Sequence, residues 1–544
     1  MTGCVRRLDS KVGGAQDTSM KRHSSAKQAS GVRSKPTRVV IVGAIVSLLG
    51  GCATPVFEAG GDPGDRRVFS VALKNLKDRY IDEIDTGKTM TSGLAQLASI
   101  DDRLAIFQAD GAVRVVFDGN VISEYPSPES GEIDDWAVLG AAAIRDARAA
   151  SSEIGAEGQD GIYRTVFKGL IDDLDRYSRY LSPDAASRSR ATRDGYGGIG
   201  ITVEADDGDF VIRQVLSDTP AEKAGLRSRD RITGIDGKPV LSLSLNDVLA
   251  MLRGNIGDAV RITVIRPDSA LPVDHEVVRD HIVPPSVTTR RKDGVLEISV
   301  SIFNQGTVGA VRRSIVDAVR KLGSKLTGIV LDLRNNPGGL LDQAIAVADL
   351  FLEQGRIVST TGRHPRSNQI FDATPGRILA DTPMAVLING RSASAAEIVA
   401  VALRDSGRAV VIGSTSFGKG TVQTIVRLPN KAEMNITWAR ILAPTGQTLA
   451  SQGIVPAVCT NLSAEKLEVL RKSLSDRSNP DNVRTAPGFA IQRQLSHFSA
   501  DRRRACPPSS TRQDDDIDIA RLLLSNGTAY AIAVAEPGPA VAER

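Results

Sequence analysis

Apolar positions recur every three or four residues through most of 67–187, in VFSVALKNLKDRYID, WAVLGAAAIRDARAA and IYRTVFKGLIDDLDRYSRYLSP. That period lays one apolar stripe along a helix and predicts a mainly helical region, interrupted by a strand-like piece in AVRVVFDGNVISEY. Between 195 and 283 the pattern shortens. Apolar runs alternate there with Gly- and Asp-rich turns, which predicts strands over 199–204, 210–215 and 231–235, a short helix in LNDVLAMLRG and a strand in AVRITVIRP. From Val295 onward, unbroken apolar runs (VLEISVSIF, TGIVLDL, MAVLI, AVVIG) are separated by amphipathic stretches such as VGAVRRSIVDAVRKL, LLDQAIAVADLFL and AAEIVAVALRDS. Strands covered on both faces read as unbroken runs, and the helices between them serve as crossovers. The expectation is an α/β fold with a mostly parallel sheet, in which TVQTIVRLP is placed as a further strand. Past Leu462, SAEKLEVLRKSL and DIARLLLSNG read as helices, the last dozen residues are expected to be disordered, and the tail suggests no role.

Length and charge refine this only in places. A chain of 544 residues exceeds one core and fits roughly three or four domains. Nine Lys/Arg against two Asp/Glu give residues 1–51 a charge of +7, so the rest carries −3 of the total +4. The remainder therefore offers no electrostatic reason to bind nucleic acid, and aromatic residues, at 4%, are too few for a single-strand stacking platform. The basic excess (Lys21, Arg22, Lys27, Arg33, Lys35, Arg38) precedes VVIVGAIVSLLGG and then Cys52. This apolar run is short for a spanning helix and suits a secretory signal. LGGC resembles the lipobox of bacterial lipoproteins, which implies lipidation at Cys52 and a membrane-anchored protein on the periplasmic side of the cell envelope. An ordinary cleaved leader would give a secreted or periplasmic protein instead. In such an oxidising compartment Cys459 and Cys506 could pair or remain free thiols, and their spacing leaves both open.

Candidate chemistry centres on INGRSASAAEI, between MAVLI and a helical pattern. Ser394 and Glu397 fit a capping box, which alone needs no chemistry. None of the five histidines (His23, His275, His281, His364, His497) lies in an HExxH or clustered metal spacing, and His364 alone falls in the α/β segment. No metal, nucleotide or organic cofactor is expected. A different base is available in SFGKGTVQ, which puts Lys419 between Gly418 and Gly420 in a loop read as joining two strands of one sheet. FGKG alone also fits an exposed lysine in a turn. Burial would disfavour the ammonium and leave a neutral amine able to take a hydroxyl proton. Strand alternation would point Gln423 the same way as Lys419. Ser394 and the turn RNNPGG both follow predicted parallel strands, where open α/β sheets gather their chemistry.

Two resemblances organise these pieces. GYGGIGITVEADDGDFVIRQVLSDTPAEKAGLRSRDRITGIDGKPV resembles a PDZ domain, with Arg229 where a glycine is usual. The resemblance implies that Gly197, Gly198, Ile199, Gly200 and Ile201 form the loop that holds a peptide's C-terminal carboxylate. NGRSASAAEI…ALRDSGRAVVIGSTSFGKGTVQ, with LDLRNNPGG upstream, resembles the carboxyl-terminal processing peptidases, or tail-specific proteases. That resemblance runs from about Arg67 to Val458 and implies a mostly parallel-sheet peptidase core of ββα-type units. It implies Ser394 as nucleophile, Lys419 as base 25 residues later, and Gln423 as support. It also implies an oxyanion hole from Ala395 and the Gly338–Gly339 turn. Three departures stand out: Ala396 for the last serine of the motif, Arg391 for a small residue, and Arg176 for a proline in LDRYSRYL. Arg391 is expected near the cleft, where it would change substrate preference.

The implied organisation is a leader (1–51), a linker (52–66), a helical domain (67–190), a PDZ domain (195–283), a peptidase core (284–462) and a C-terminal tail (463–544). The implied function is ATP-independent cleavage of proteins with exposed apolar C-terminal tails. Protein substrates and the membrane are the expected partners, with a homo-oligomer or an adaptor protein left open. The alternatives are an inactive PDZ scaffold in the cell envelope and a serine hydrolase acting on peptidoglycan or small amides.

Overall fold

A six-stranded sheet runs Val287–Lys292, Val295–Val300, Gly328–Asp332, Met384–Ile388, Val410–Gly413 and Val458–Cys459 in spatial order; the first pair is antiparallel and the rest are parallel. Successive side chains of a strand face opposite ways, so each apolar run serves two layers. Leu296, Ile298, Ile329, Leu331, Val386 and Val411 pack against the helices Thr307–Leu322, Leu341–Asp349 and Ala395–Asp405. Val295, Val330, Ala385, Leu387, Val410 and Ile412 face the other way, onto Ala464–Ser475, Asp515–Ser525 and Gly527–Val534. The tail that suggested no role thus supplies the second helical layer. It is fastened by a Cys459–Cys506 disulfide and by the buried ion pair of Arg334 with Asp516. The computed structural model describes residues 61–269, 271–379, 381–489, 500–511 and 514–535; the leader, Cys52 and residues 536–544 lie outside the described residues.

TVQTIVRLP does not join the parallel sheet. Thr421–Arg427 pairs with Glu433–Leu442 in a separate antiparallel sheet that continues through Arg356–Thr361 to Gln369–Asp372. The loop carrying Lys419 therefore crosses from one sheet to the other. Short strand Arg179–Leu181 adds to the same Glu433–Leu442 strand and ties the N-terminal region to it.

The N-terminal helices include Pro63–Arg79, Thr86–Ala95, Ile133–Ala150, Gln159–Asp172 and Pro183–Arg193, with a three-stranded antiparallel sheet between Leu104 and Pro126. The first begins at Pro63, inside the stretch read as linker, because Asp62 caps Gly64 N–H and proline suits a first turn. Its core is shared: Val426, Leu428, Met434 and Ile436 of the antiparallel sheet are buried among Phe69, Leu73, Val166 and Phe167. The glycine-punctuated region has a core of its own under the sheet Pro272–Val278, Ala259–Ile265, Arg231–Ile235, Asp209–Val215, Ile201–Asp206. Ile201–Asp206 lies at the edge of that sheet, next to helix Leu245–Leu252.

Candidate active site

The two serines of the opening motif have opposite surroundings. Ser392 is fully buried; its hydroxyl donates to Leu333 O (2.8 Å) and accepts from Asn389 N–H (2.9 Å). Ser394 is half-buried and carries φ 56°, ψ −117°. A non-glycine residue held in that region costs about 1–3 kcal/mol, and such strain gathers at functional sites. The conformation ends the turn abruptly and starts helix Ala395–Asp405 directly behind the side chain. Free N–H groups and the helix dipole there favour negative charge. The adjacent turn is fixed by side chains: Asn336 Nδ2 donates to Val300 O, and Asn335 and Asn389 bond each other.

Gly338 packs against this turn so closely that a Cβ on it would lie 2.9 Å from Ser394 Cβ and 3.1 Å from Ala395 N. Its own N–H, however, donates to Asn336 Oδ1 at 2.8 Å. Gly338 is therefore corrected as an oxyanion donor: it provides space, while Ala395 and Gly339 remain as the candidate donors. A Cβ at Gly339 would collide with Phe303 O at 2.1 Å, so that position also requires glycine.

Glu397 joins Ser394 to Lys419. It is completely buried and accepts from Ser394 N–H (2.8 Å), Gly418 N–H (2.7 Å), Lys419 N–H (3.0 Å) and Ser416 Oγ (2.5 Å). Burial pushes its carboxyl upward from the usual range, and these four donors oppose that shift. One carboxylate thus closes half of the capping box and also holds the backbone of the lysine loop.

Lys419 is half-buried, and its amine is pulled down from 10.5 to about 8, by burial first and by the neighbouring Arg179 second. Its Nζ sits 5.2 Å from the centre of the Tyr177 ring, whose other cationic neighbour is Arg176 at 4.9 Å. Lys419 and Ser394 line the same cleft without a hydrogen bond between them among the described residues. Gln423 Nε2 donates to Thr421 Oγ1 (3.0 Å) and Thr437 Oγ1 (3.2 Å), and Thr437 Oγ1 donates to Asp175 Oδ1 (3.0 Å). Gln423 does not follow the strand alternation expected from Lys419. The ladder shifts register between Val422 and Gln423, and Val422, Gln423, Thr424 and Ile425 all border the cleft.

The cleft encloses about 880 Å³. Its apolar part is lined by Ile302, Phe303, Leu341, Ile345, Phe371 and Ile398, and its polar part by Arg179, Arg193, Asn435 and Asp342. Chemically it pairs a strained serine at a helix N-terminus with a lysine of lowered basicity. Among the described residues no group of three His, Cys, Asp or Glu side chains could hold a metal.

The remaining expected residues fall elsewhere. Gly197 and Gly198 belong to strand Tyr196–Gly198, paired with Asp280–Ile282, and Ile199 and Gly200 form the bend into Ile201–Asp206. Gly200 has φ 88°, and a Cβ there would meet Thr219 at 2.3 Å. His364 accepts from Arg366 N–H and faces Asp78, outside the cleft lining. Arg391 is exposed on the turn and does not line the cleft, contrary to expectation, while Ala396 is buried in the core. Sequence reasoning missed Asp175, Tyr177, Arg179, Asn435 and Thr437; of these only LDRYSRYL carried a visible signal.

Known proteins match two parts of the chain. Residues 294–459 match peptidase family S41, and residues 211–266 match the PDZ domain family. A carboxy-terminal-processing protease of Bartonella bacilliformis is 39% identical over 299 residues, covering 55% of this chain and 69% of the relative. A carboxy-terminal processing protease of Bacillus subtilis is 35% identical over 306 residues, covering 56% of this chain and 65% of the relative. Among solved structures, the photosystem II D1 C-terminal processing protease aligns at 23% identity and a TM-score of 0.37, covering 73% of this chain and 92% of that one. The chain belongs to the carboxy-terminal-processing proteases, PDZ-containing serine endopeptidases of peptidase family S41.

Proposed function

We propose that the chain is an ATP-independent endopeptidase that recognises exposed apolar C-terminal tails through its PDZ domain and cleaves an upstream peptide bond with Ser394, Lys419 and Gln423. The observation that carries this reading is the meeting in one cleft of a strained serine and a lysine of lowered pKa, tied together by Glu397. A tail adds as a further strand along the edge Ile201–Asp206, with its carboxylate at the Gly197–Gly198–Ile199–Gly200–Ile201 bend. Lys419 as neutral amine takes the Ser394 proton while Oγ attacks the carbonyl carbon, and the developing oxyanion is held by Ala395 and Gly339 N–H. The C–N bond breaks as the ammonium returns its proton to the leaving amine. Water, deprotonated by the same lysine, then hydrolyses the ester. Because Lys419 and Ser394 are not bonded, occupation of the cleft is the event that brings them together, and Gln423 holds the amine for it.

An extracytoplasmic site, with a lipid anchor at Cys52 or a cleaved leader, is part of the same reading. Its supports are the basic–apolar–cysteine leader and the Cys459–Cys506 disulfide, a bond typical of oxidising compartments. The test is to incubate the full chain in detergent with a folded protein bearing a flexible apolar C-terminal tail and to weigh the products. Wild type should release tail fragments, and Ser394→Ala should bind the tail without cutting it. Binding without cutting by both proteins would instead identify an inactive adaptor.

A further inference from the structure

The geometry points to a subsite for the leaving segment of the substrate, built by Arg179 and Asn435, in which Arg179 pairs with a carboxylate of that segment. This inference rests on the proposed peptidase reading of the cleft. A base that hands its proton to the leaving amine stands beside the first residue of the leaving segment. Arg179 is next to that base: it lines the cleft, and its charge is the second cause, after burial, of the lowered basicity of Lys419. It stands directly opposite Asn435 in the ladder between Arg179–Leu181 and Glu433–Leu442.

The two residues share a second feature. The Asn435 side chain also lines the cleft, is 9% exposed, and leaves its buried amide oxygen without a hydrogen-bond partner among the described residues. A buried polar atom of this kind loses about 1–3 kcal/mol unless a partner arrives, and turning the amide over brings its oxygen to the cleft side, where an extended peptide presents an N–H. Arg179 is exposed where strand Arg179–Leu181 begins and has no ion-pair partner among the described residues, so its guanidinium is open to an incoming group. Its basic neighbours are already engaged, Arg190 and Arg193 both binding Glu433 two positions along the same strand. Asp175 forms no ion pair with Arg179; its oxygens accept from Tyr177 N–H, Ser178 N–H, Ser178 Oγ and Thr437 Oγ1. Asp342 is the only acid among the lining residues, and it belongs to the opposite wall, in the first turn of Leu341–Asp349. An exposed arginine fork open to the cleft, beside an amide without a protein partner, suits a carboxylate followed or preceded by a peptide N–H. That carboxylate is either an acidic side chain within the leaving segment or the α-carboxylate of a short one.

The test uses the full chain in detergent and matched quenched peptides. One pair exchanges Asp for Asn at each of the first three leaving positions; the other exchanges a C-terminal acid for an amide three residues beyond the cut. Wild type should favour the carboxylate member of at least one pair by about ten-fold in kcat/KM, and the pair affected names the source. Arg179→Met should bring that ratio close to one. Asn435→Ala should lower kcat/KM for both members alike. The same pairs are titrated onto Ser394→Ala and onto Ser394→Ala/Arg179→Met, so that discrimination is read without turnover. Discrimination in binding that vanishes with Arg179→Met sustains the subsite even if wild type cuts nothing, an outcome that would sink only the catalytic reading. Equal binding and cutting of acid and neutral members by wild type, or discrimination that survives Arg179→Met, overturns the inference.

Discussion

The two walls of the cleft are built on different plans. The wall with Ser394 comes from parallel strands whose loops are locked by side chains: Ser392 on Leu333, Asn336 on Gly338 and Val300, Asn335 on Asn389. The wall with Lys419 is assembled from the lysine loop, the Asp175–Arg179 segment and the antiparallel strand Glu433–Leu442. It keeps the buried Tyr177 hydroxyl and Asn435 amide oxygen without partners among the described residues. Polar groups that are all satisfied rigidify a site, and unsatisfied ones leave free energy to be gained on binding. On the proposed mechanism, the contrast means a nucleophile organised in advance and a base wall completed by substrate. Glu397 is where the walls meet.

Breaking that link should have the largest effect. Glu397→Ala would leave Ser416 Oγ and three N–H groups buried without their acceptor, a loss of roughly 3–5 kcal/mol in folding stability by analogy with other buried charged networks. Denaturant titration measures it, and an unchanged midpoint would remove Glu397 from its place between the walls. Next in size is the covalent brace behind both walls. Cys506 O accepts from Thr415 Oγ1 near the lysine loop, and Ser509 O accepts from Gly390 N–H in the serine turn. Cys506→Ser should lower stability by roughly 2–4 kcal/mol. Dithiothreitol should do the same to wild type and nothing to the variant.

Smaller changes sharpen the contrast on the base side alone. Thr437→Val cuts the chain from Asp175 to Gln423, so kcat should fall about ten-fold with KM nearly constant, as expected for a lost positioning contact. An equal fall in tail affinity would show that Thr437 acts in binding instead. A further effect concerns stability. Lys419 titrates near 8 in the folded chain against 10.5 ordinarily, so between those values the unfolded chain binds more protons and stability rises with pH. Lys419→Met should remove this slope and melt no lower than wild type at neutral pH. A clearly lower melting temperature would mean that the ammonium is a stabilising partner.

How much of this was legible depended on burial and on distance along the chain. TGIVLDL, MAVLI and AVVIG could be read because strands covered on both faces leave unbroken apolar runs. RIVSTT and EMNITWARIL mix polar and apolar residues, since Glu433, Asn435 and Thr437 are buried but polar, and no simple period marks them. The C-terminal helices have the right pattern, but only the second apolar face of the sheet shows what they cover. At the site, Ser394 and Lys419 were found through a motif. Asp175 and Arg179 meet Thr437 and Asn435 only because Arg179–Leu181 joins a strand more than 240 residues later, a pairing no local pattern records. Gln423 departs from alternation at a bulge, where the period of two is interrupted.

The most direct measurement of the central claim is the pH dependence of kcat/KM for tail cleavage by wild type and Lys419→Ala. The account predicts a wild-type rate that climbs with pH through a midpoint near 8, as the Lys419 ammonium gives up its proton, and no cleavage by Lys419→Ala at any pH. A profile that is flat across that window, or a Lys419→Ala variant that cuts the tail as wild type does, would contradict it.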